Sequence, residues 1–291
     1  MNVSGKTKVC AVIGDPIEHS LSPAIQNAAF QHLGLDYAYV AFTVRKEDLK
    51  NAILGVRGLG LYGLNVTMPH KIAVIQYLDQ LDETARNFSS VNTVLNKDGR
   101  LVGYTTDGIG LLNALNYNGV DPYGKKIAIL GAGGASRSVS FALAREAKEL
   151  VILNRTLEKA ENLVNDLAVV SGKKAKLEAK RLCDEEIEKE LKNTDILINT
   201  SSVGMHPNET ETPVSPDFLD ARMVVFDLVY EPLETTLLRE ARKIGAKTID
   251  GLTMLVHQGA ASFEIWTDKK APIEVMMKVA TEKLKNKKAQ A

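Results

Sequence analysis

The chain has 291 residues, enough for a substantial core and more in keeping with two domains than one. Its 36 Lys and Arg balance 36 Asp and Glu, which argues against a nucleic-acid binder with its basic excess. Hydrophobic residues at 45% and charged residues at 25% are ordinary for a globular protein, and no apolar run reaches membrane-spanning length. The opening MNVSGKTKVC lacks the apolar stretch of a signal peptide, so a cytoplasmic location is expected, with neither membrane nor nucleic acid as a partner. Cys10 and Cys183 form no metal or CxxC spacing, and histidines 19, 32, 70, 206 and 257 show none either. No metal is expected. The basic run KLKNKK near the end reads as a solvated helix terminus.

Strand and helix patterns alternate along the chain. KVCAVIGD (8–15) predicts a strand, SPAIQNAAFQHLG (22–34) a helix, YAYVAFTV (37–44) a strand, and KEDLKNAILGVRG (46–58) a helix. LYGLNVTM (61–68) then predicts a strand and HKIAVIQYL (70–78) a helix. Such βαβ repetition implies a mostly parallel sheet covered by helices. VDPYGK (120–125) has the composition of a linker, and the helix before it, IGLLNALNYNG, could belong to either side.

A second series follows. KKIAILGAG (125–133) is a strand entering a glycine turn, SRSVSFALAREA (136–147) a helix, LVILNR (150–155) a strand, and 157–172 a helix ending at Gly172. DILINTS (195–201) and MVVFDLVY (223–230) are strands, 232–245 a helix and KTIDG a closing strand. Two helices end the chain, GLTMLVHQGAASFEIWT and PIEVMMKVATEKLKN. The second series is complete without them, so they are expected to pack back on the first domain.

The glycine turn carries the most local information. Gly131, Gly133 and Ser136 occupy the three small positions of G-x-G-x-x-[G/A], after a strand and opening a helix. That pattern gives a tight turn, close approach of backbone to a pyrophosphate, and free helix N–H groups for its oxygens. Ser136 departs from the usual third residue but stays small. A site for NAD places a carboxylate about 20 residues further on. Here the second strand ends in Asn154, Arg155 and Thr156, and the nearest carboxylate is Glu158 inside the next helix. The planar fork of Arg155 suits a 2′-phosphate, which favours NADP. Thr156 also stands where an N-cap belongs, and Arg155 could be a surface arginine.

In the first half, HSLS (19–22), NVTMPHK (65–71), SVNT (90–93) and TTDG (105–108) put polar residues at strand ends or helix starts. Ligands collect at such strand ends in open α/β sheets. Each stretch also has a plain reading. Ser22 before Pro23, or Asp107, could be an N-cap; Asn92 could make an Asx turn; Lys71 could be an exposed helix residue. A nicotinamide enzyme needs a group that exchanges the alcohol proton while hydride moves. Lys71 can do this with a carboxylate such as Asp107 to orient it. His70 is the rival, since two successive helix positions could hardly both face a substrate.

Taken together, HSLSP, NVTMPHK, VNT, TTDG, GAGGASR, NRT, INTSSVGM, DLVY and GLTMLVHQGA resemble the shikimate dehydrogenase family, in order and over nearly the whole chain. The resemblance implies reversible NADPH-dependent reduction of 3-dehydroshikimate to shikimate. It implies an α/β protein of two domains, a mostly parallel substrate domain (1–106 with 252–291) and a doubly wound Rossmann-type NADP domain (107–251). By that likeness Lys71 is the acid–base residue and Asp107 its partner. Ser20, Ser22 and Tyr230 would hold the substrate carboxylate, and Thr67, Asn92 and Gln258 the ring end or its hydroxyls. Gly131, Ala132, Gly133, Gly134, Ala135 and Ser136 would cradle the pyrophosphate, with Asn154, Arg155 and Thr156 at the 2′-phosphate. Thr200, Leu228, Gly251 and Met254 would surround the nicotinamide. Leu228 stands where methionine is common in the family, and His70 where phenylalanine is. The small-molecule substrate is the expected partner, and a homodimer is left open. Two alternatives remain, a quinate/shikimate dehydrogenase using NAD and a non-catalytic NADP-binding sensor.

Overall fold

The structure, a computed structural model, describes residues 3–170 and 175–290. The chain divides into two compact units: one runs to Gly110 and resumes at Val256, and the other spans Leu111 to Leu255. Both junctions fall inside helices, four residues after the expected limits of 106 and 251.

The first unit contains β1 (Lys8–Gly14), α1 (Ser22–His32), β2 (Tyr37–Thr43), α2 (Leu49–Gly58), β3 (Gly63–Val66), β4 (Gln80–Leu81), α3 (Glu83–Phe88), β5 (Thr93–Lys97) and β6 (Arg100–Tyr104). The start of α4 (Asp107–Tyr117) also belongs to it. Its sheet has the order β2-β1-β3-β5-β6-β4. β2, β1 and β3 are parallel, β5 runs antiparallel to both β3 and β6, and β4 is parallel to β6. Ala11, Ile13, Leu64 and Val66 project from one face onto Leu49, Ile53 and Val56 of α2.

On the first unit's other face the chain's end returns, as α9 (Gly251–Thr267) and α10 (Ile273–Gln290). Trp266 fixes that return. A Cβ at Gly63 would lie 2.5 Å from the indole nitrogen, so only glycine admits the ring against β3. The indole N–H donates to the Val94 carbonyl at 3.1 Å, and Phe263 stacks on Phe30 of α1.

The second unit contains β7 (Lys126–Leu130), α5 (Gly134–Leu143), β8 (Glu149–Asn154), α6 (Leu157–Val170), β9 (Lys176–Arg181), α7 (Asp184–Leu191), β10 (Ile196–Asn199), β11 (Val224–Asp227), α8 (Thr236–Lys243) and β12 (Lys247–Ile249). Its strands are all parallel in the order β12-β11-β10-β7-β8-β9. The chain winds outward in both directions from the β7/β10 pair, the topological switch point of a Rossmann sheet. The central strand segments IAIL, LVIL and ILI are apolar without a break, as strands covered on both faces must be.

Several elements differ from expectation. Residues 70–78 do not form an α-helix; a 3₁₀ segment at Ala73–Tyr77 leads into β4. Pro69 and the β-branched Ile72, Val74 and Ile75 disfavour a regular helix, and Val74 is fully buried. The β5–β6 hairpin, α3, β9 and α7 were not among the expected elements. α5 begins at Gly134 and ends at Leu143, two residues earlier and four earlier than the pattern suggested. The expected end of α6 at Gly172 lies outside the described residues.

Candidate active site

In the first unit, β3 feeds directly into the polar turn NVTMPHK. The Thr67 N–H donates to Ile13 at 3.0 Å and the His70 N–H to Thr67 at 2.9 Å, which folds the chain back after the strand. Lys71 Nζ then meets Asp107 Oδ2 at 2.6 Å, with the two side chains 18% and 7% exposed. The second carboxylate oxygen, Oδ1, accepts from Asn92 Nδ2 at 2.8 Å. The same amide nitrogen approaches Gln258 Oε1 at 3.3 Å. Lys71, Asp107, Asn92 and Gln258, from four separate segments, therefore converge. A Cβ at Gly110 would lie 2.6 Å from that of Gln258, so α4 and α9 touch closely here. The plain readings of Asp107 as a simple cap and Lys71 as a free surface residue give way to this pair.

His70 turns one ring nitrogen toward the protein backbone. It is buried, and its Nε2 lies 2.6 Å from the Val44 carbonyl, which can only accept.

Behind the lysine runs a polar chain that joins residues of the first half's polar stretches to Tyr39 and Ser262, which sequence reading had not singled out. Asn65 Nδ2 donates to the Asn92 carbonyl at 2.9 Å, to Thr93 Oγ1 at 3.1 Å and to Ser262 Oγ at 3.0 Å. Its Oδ1 accepts from the Tyr39 hydroxyl at 2.6 Å. Tyr39 is buried, which holds its phenol well above the usual range, and the Ser22 hydroxyl hydrogen-bonds it. Ser22 opens α1, yet its side chain does not cap the helix, for which Leu21 is the cap residue. Ser20 Oγ accepts from the Ser22 N–H at 3.3 Å. The network thus links the candidate carboxylate end, Ser22, to the candidate reacting end, Lys71. One signal was available: Ser262 stands four residues after Gln258, on the same face of α9. Thr67 is half-buried on the turn itself.

In the second unit, Gly131 has φ +109°, and a Cβ there would lie 2.8 Å from Thr200 Oγ1. Conformation and space both demand glycine. Ser136 Oγ donates back to the Gly131 carbonyl at 2.7 Å, so this departure from the usual third residue braces the turn. Gly133 caps α5, and a Cβ at Gly133 or Gly134 would meet nothing within 4 Å. Open space over the first-turn N–H groups of α5 suits a pyrophosphate. Asn154 Nδ2 donates to the Thr156 carbonyl at 2.8 Å. Arg155 between them is exposed and has no partner among the described residues.

Thr200 Oγ1 donates to the Leu130 carbonyl at 2.7 Å, and a side chain at Gly251 would collide with the Leu228 carbonyl. Met254 is buried nearby in sequence on α9. Tyr230 is half-buried and belongs to the second unit, whereas Ser20 and Ser22, with which it was grouped, belong to the first. Asp227, one residue before Leu228, is fully buried, and that burial pushes its carboxyl up to about 6 despite three hydrogen bonds.

A Rossmann sheet with a glycine turn fitted to a dinucleotide, in one chain with an α/β unit carrying a lysine–carboxylate pair, defines a nicotinamide-dependent oxidoreductase. The family models agree in detail. Residues 12–94 match the shikimate dehydrogenase substrate binding domain, 116–252 match shikimate / quinate 5-dehydrogenase, and 251–281 match the shikimate 5′-dehydrogenase C-terminal domain. A shikimate dehydrogenase (NADP(+)) of Methanopyrus kandleri is 49% identical over 98% of this chain and 99% of its own. A crystal structure of a shikimate dehydrogenase in complex with NADP+ superposes with a TM-score of 0.90 at 46% identity, covering 97% of this chain and 98% of that one. A Listeria monocytogenes shikimate 5-dehydrogenase in complex with shikimate and NAD gives 0.90 at 40% identity, covering 96% and 98%. The chain belongs to the shikimate dehydrogenase family.

Proposed function

We propose that the chain catalyses the reversible NADP-dependent interconversion of 3-dehydroshikimate and shikimate, a step toward chorismate and the aromatic amino acids. The single observation that carries this reading on the chain itself is the Lys71–Asp107 contact of 2.6 Å, largely sheltered from solvent and beside the hydrogen-bonding side chains of Asn92 and Gln258. A non-catalytic sensor of NADP has no use for that pair. The curated relatives of this chain carry the shikimate name with NADP(+), which disfavours the quinate alternative.

When bound, NADP(H) supplies or receives the hydride at the substrate carbon. The protein's own part is proton exchange and placement. In the oxidative direction Lys71 Nζ takes the proton of the reacting hydroxyl; in the reductive direction it returns that proton to the carbonyl oxygen. Asp107 orients the amine, and Asn92 in turn fixes the carboxylate. Thr67, Asn92 and Gln258 hold ring hydroxyls, and the hydroxyls of Ser20 and Ser22 hold the carboxylate. The first unit therefore acts as the substrate unit.

The second unit acts as the cofactor unit. The amides following Gly131 take the pyrophosphate, and Arg155, with Asn154 and Thr156, takes the 2′-phosphate. Thr200, Leu228, Gly251 and Met254 form the wall for the nicotinamide. Arg155 is the residue that favours NADP over NAD, because its guanidinium has no competing partner among the described residues.

Substrate and cofactor are both small and water-soluble, so we place the enzyme in the cytoplasm; no helix among the described residues is long and apolar enough to cross a membrane. A homodimer would cover the exposed edge of β2, where Val40 and Phe42 are 37% and 47% exposed, and sedimentation velocity tests that assignment.

The deciding experiment is a spectrophotometric assay with shikimate and NADP+, repeated with quinate and with NAD+. Reduced nicotinamide should appear mainly with the shikimate–NADP+ pair. A preference for quinate or NAD+ would move the assignment to the sister activity, and NADP binding without turnover would favour the sensor.

A further inference from the structure

The carboxyl ends of β10 and β11 are joined by a side-chain bond that the reaction above leaves unused. Asn199 and Asp227 are the last residues of these strands, lie opposite each other in the ladder, and are fully buried. Asn199 Nδ2 donates to Asp227 Oδ1 at 2.9 Å. The same oxygen accepts from the Val229 N–H at 3.0 Å, and Oδ2 accepts from Thr235 Oγ1 at 2.7 Å. Thr235 is itself the N-cap of α8. At the other end, Asn199 Oδ1 accepts from the Ser201 N–H at 3.0 Å and its hydroxyl at 2.7 Å. One buried chain of side chains therefore holds the segment after β10, the segment after β11 and the start of α8.

A buried carboxylate is costly, and a well-packed apolar pair of similar shape would serve stability as well or better. What this pair supplies is geometry. Asn199 immediately precedes Thr200, and Asp227 immediately precedes Leu228, two of the residues assigned to the nicotinamide wall. The Leu228 N–H donates to the Asn199 carbonyl at 2.9 Å, the Thr200 N–H to the Leu130 carbonyl at 2.9 Å, and the Leu228 carbonyl abuts Gly251. A small displacement of either strand end would be passed directly to that wall.

We infer that Asn199 and Asp227 are positioning residues that fix the nicotinamide end of the cofactor site without touching the cofactor. The inference rests on the proposed roles of Thr200, Leu228 and Gly251. It separates the two ends of the cofactor: the adenosine and its 2′-phosphate depend on the segment after β8, the nicotinamide depends on this pair, and the pyrophosphate turn lies between them, with Gly131 against Thr200.

The test uses the full chain with Asn199→Asp, Asp227→Asn and the double variant, which again sets an amide against a carboxylate with the ends exchanged. Each is titrated with 2′-phospho-ADP-ribose, which lacks the nicotinamide, and assayed with shikimate and NADP+. Each single variant should lower kcat by about tenfold or more, since misplaced reacting groups lose rate steeply. Binding of 2′-phospho-ADP-ribose should fall by much less than kcat does, because its 2′-phosphate end is held by another segment, and KM for shikimate should stay within about twofold, as distant sites behave independently. The double variant should recover part of the lost kcat. Equal losses in fragment binding and turnover, with no recovery in the double variant, would mark a merely structural pair and overturn the inference; so would unchanged kcat. Should Asn199→Asp fail to fold, Asp227→Asn carries the test alone, because its amide oxygen can still accept from Val229. If the unaltered protein shows no shikimate–NADP+ turnover, the proposed function itself falls, and that outcome is seen before any variant is read.

Discussion

Lys71 and Asp107 come from the turn after β3 and the first residue of α4, and each is useful only because the other is 2.6 Å away. Removing the amine should therefore abolish proton exchange without disturbing the glycine turn of the other unit. Lys71→Ala is expected to lower kcat by about a thousandfold, within the usual range for a positioned acid–base group. NADP+ affinity, followed by fluorescence titration, should hardly move; surviving turnover would refute the role of Lys71. Arg155 makes the complementary prediction. Arg155→Asp places a carboxylate where a 2′-phosphate would lie, so NADP+ should weaken by far more than NAD+. Superimposable titration curves for the two cofactors in that variant would refute the assignment. Both residues stand out as candidates in the sequence because each sits beside punctuation with a known meaning, Pro69 in one case and the end of the second Rossmann strand in the other. Tyr39 does not, and Asn65 stands out only as a polar residue of NVTMPHK, without a role. A polar side chain satisfied inside a core leaves no periodic trace, and their link to Ser22 and Asn92 exists only across strands that the fold brings together.

Among the elements, the ends of β10 and β11 carry a pH-dependent term. Burial holds the Asp227 carboxyl at about 6 against an ordinary 3.8. The groups that face it, Asn199, Thr235 and the Val229 amide, are uncharged. The folded state thus holds this proton more tightly than the unfolded chain does. The stabilisation is fully present below about pH 4 and is lost as pH rises through about 6. A difference of this size corresponds to about 3 kcal/mol between the two proton states. Asp227→Asn cannot lose that proton, so its stability relative to the parent should improve from pH 4 to pH 7 in urea denaturation, even as its turnover falls. Parallel pH curves for parent and variant would contradict the account. Elements elsewhere differed in how readily they could be read. The apolar Rossmann strands announce themselves. The β5–β6 hairpin offered a usable sign in Asp98–Gly99, whose φ values of +52° and +89° suit a tight turn, but its flanking strands are short. β9 offered almost none. Its KLEAKR sequence lies at the sheet edge and is held by charge: Lys180 reaches Glu178 at 3.3 Å and Glu190 at 3.9 Å, while Lys126 reaches the buried Glu190 at 2.8 Å. Hydrophobic periodicity has nothing to detect in such a strand, and the charges also protect the edge from further pairing.

At the scale of the whole molecule, each unit has its own sheet and its own apolar core, and each carries one half of the proposed chemistry. Ligands should therefore leave separate marks. A ligand at a hundred times its dissociation constant stabilises the species it binds by about 2.7 kcal/mol, and local protection from hydrogen exchange follows the segments it holds. NADP+ alone should slow exchange in residues 131–136 and 154–156 and along the ends of β10 and β11. Shikimate alone should slow it in residues 63–71, in 92–107 and on α9 around Gln258. The second expectation is the more exacting, because the polar chain from Ser22 through Tyr39 and Asn65 to Asn92 is already satisfied among protein groups. Its amides should exchange slowly even without ligand, so the added protection should concentrate at the turn of residues 67–71, where the backbone is less enclosed and Met68 is 69% exposed. Shikimate protection confined to residues 111–255, with the turn at Lys71 unchanged, would place the substrate on the wrong unit and remove the physical basis for Lys71 as its proton partner.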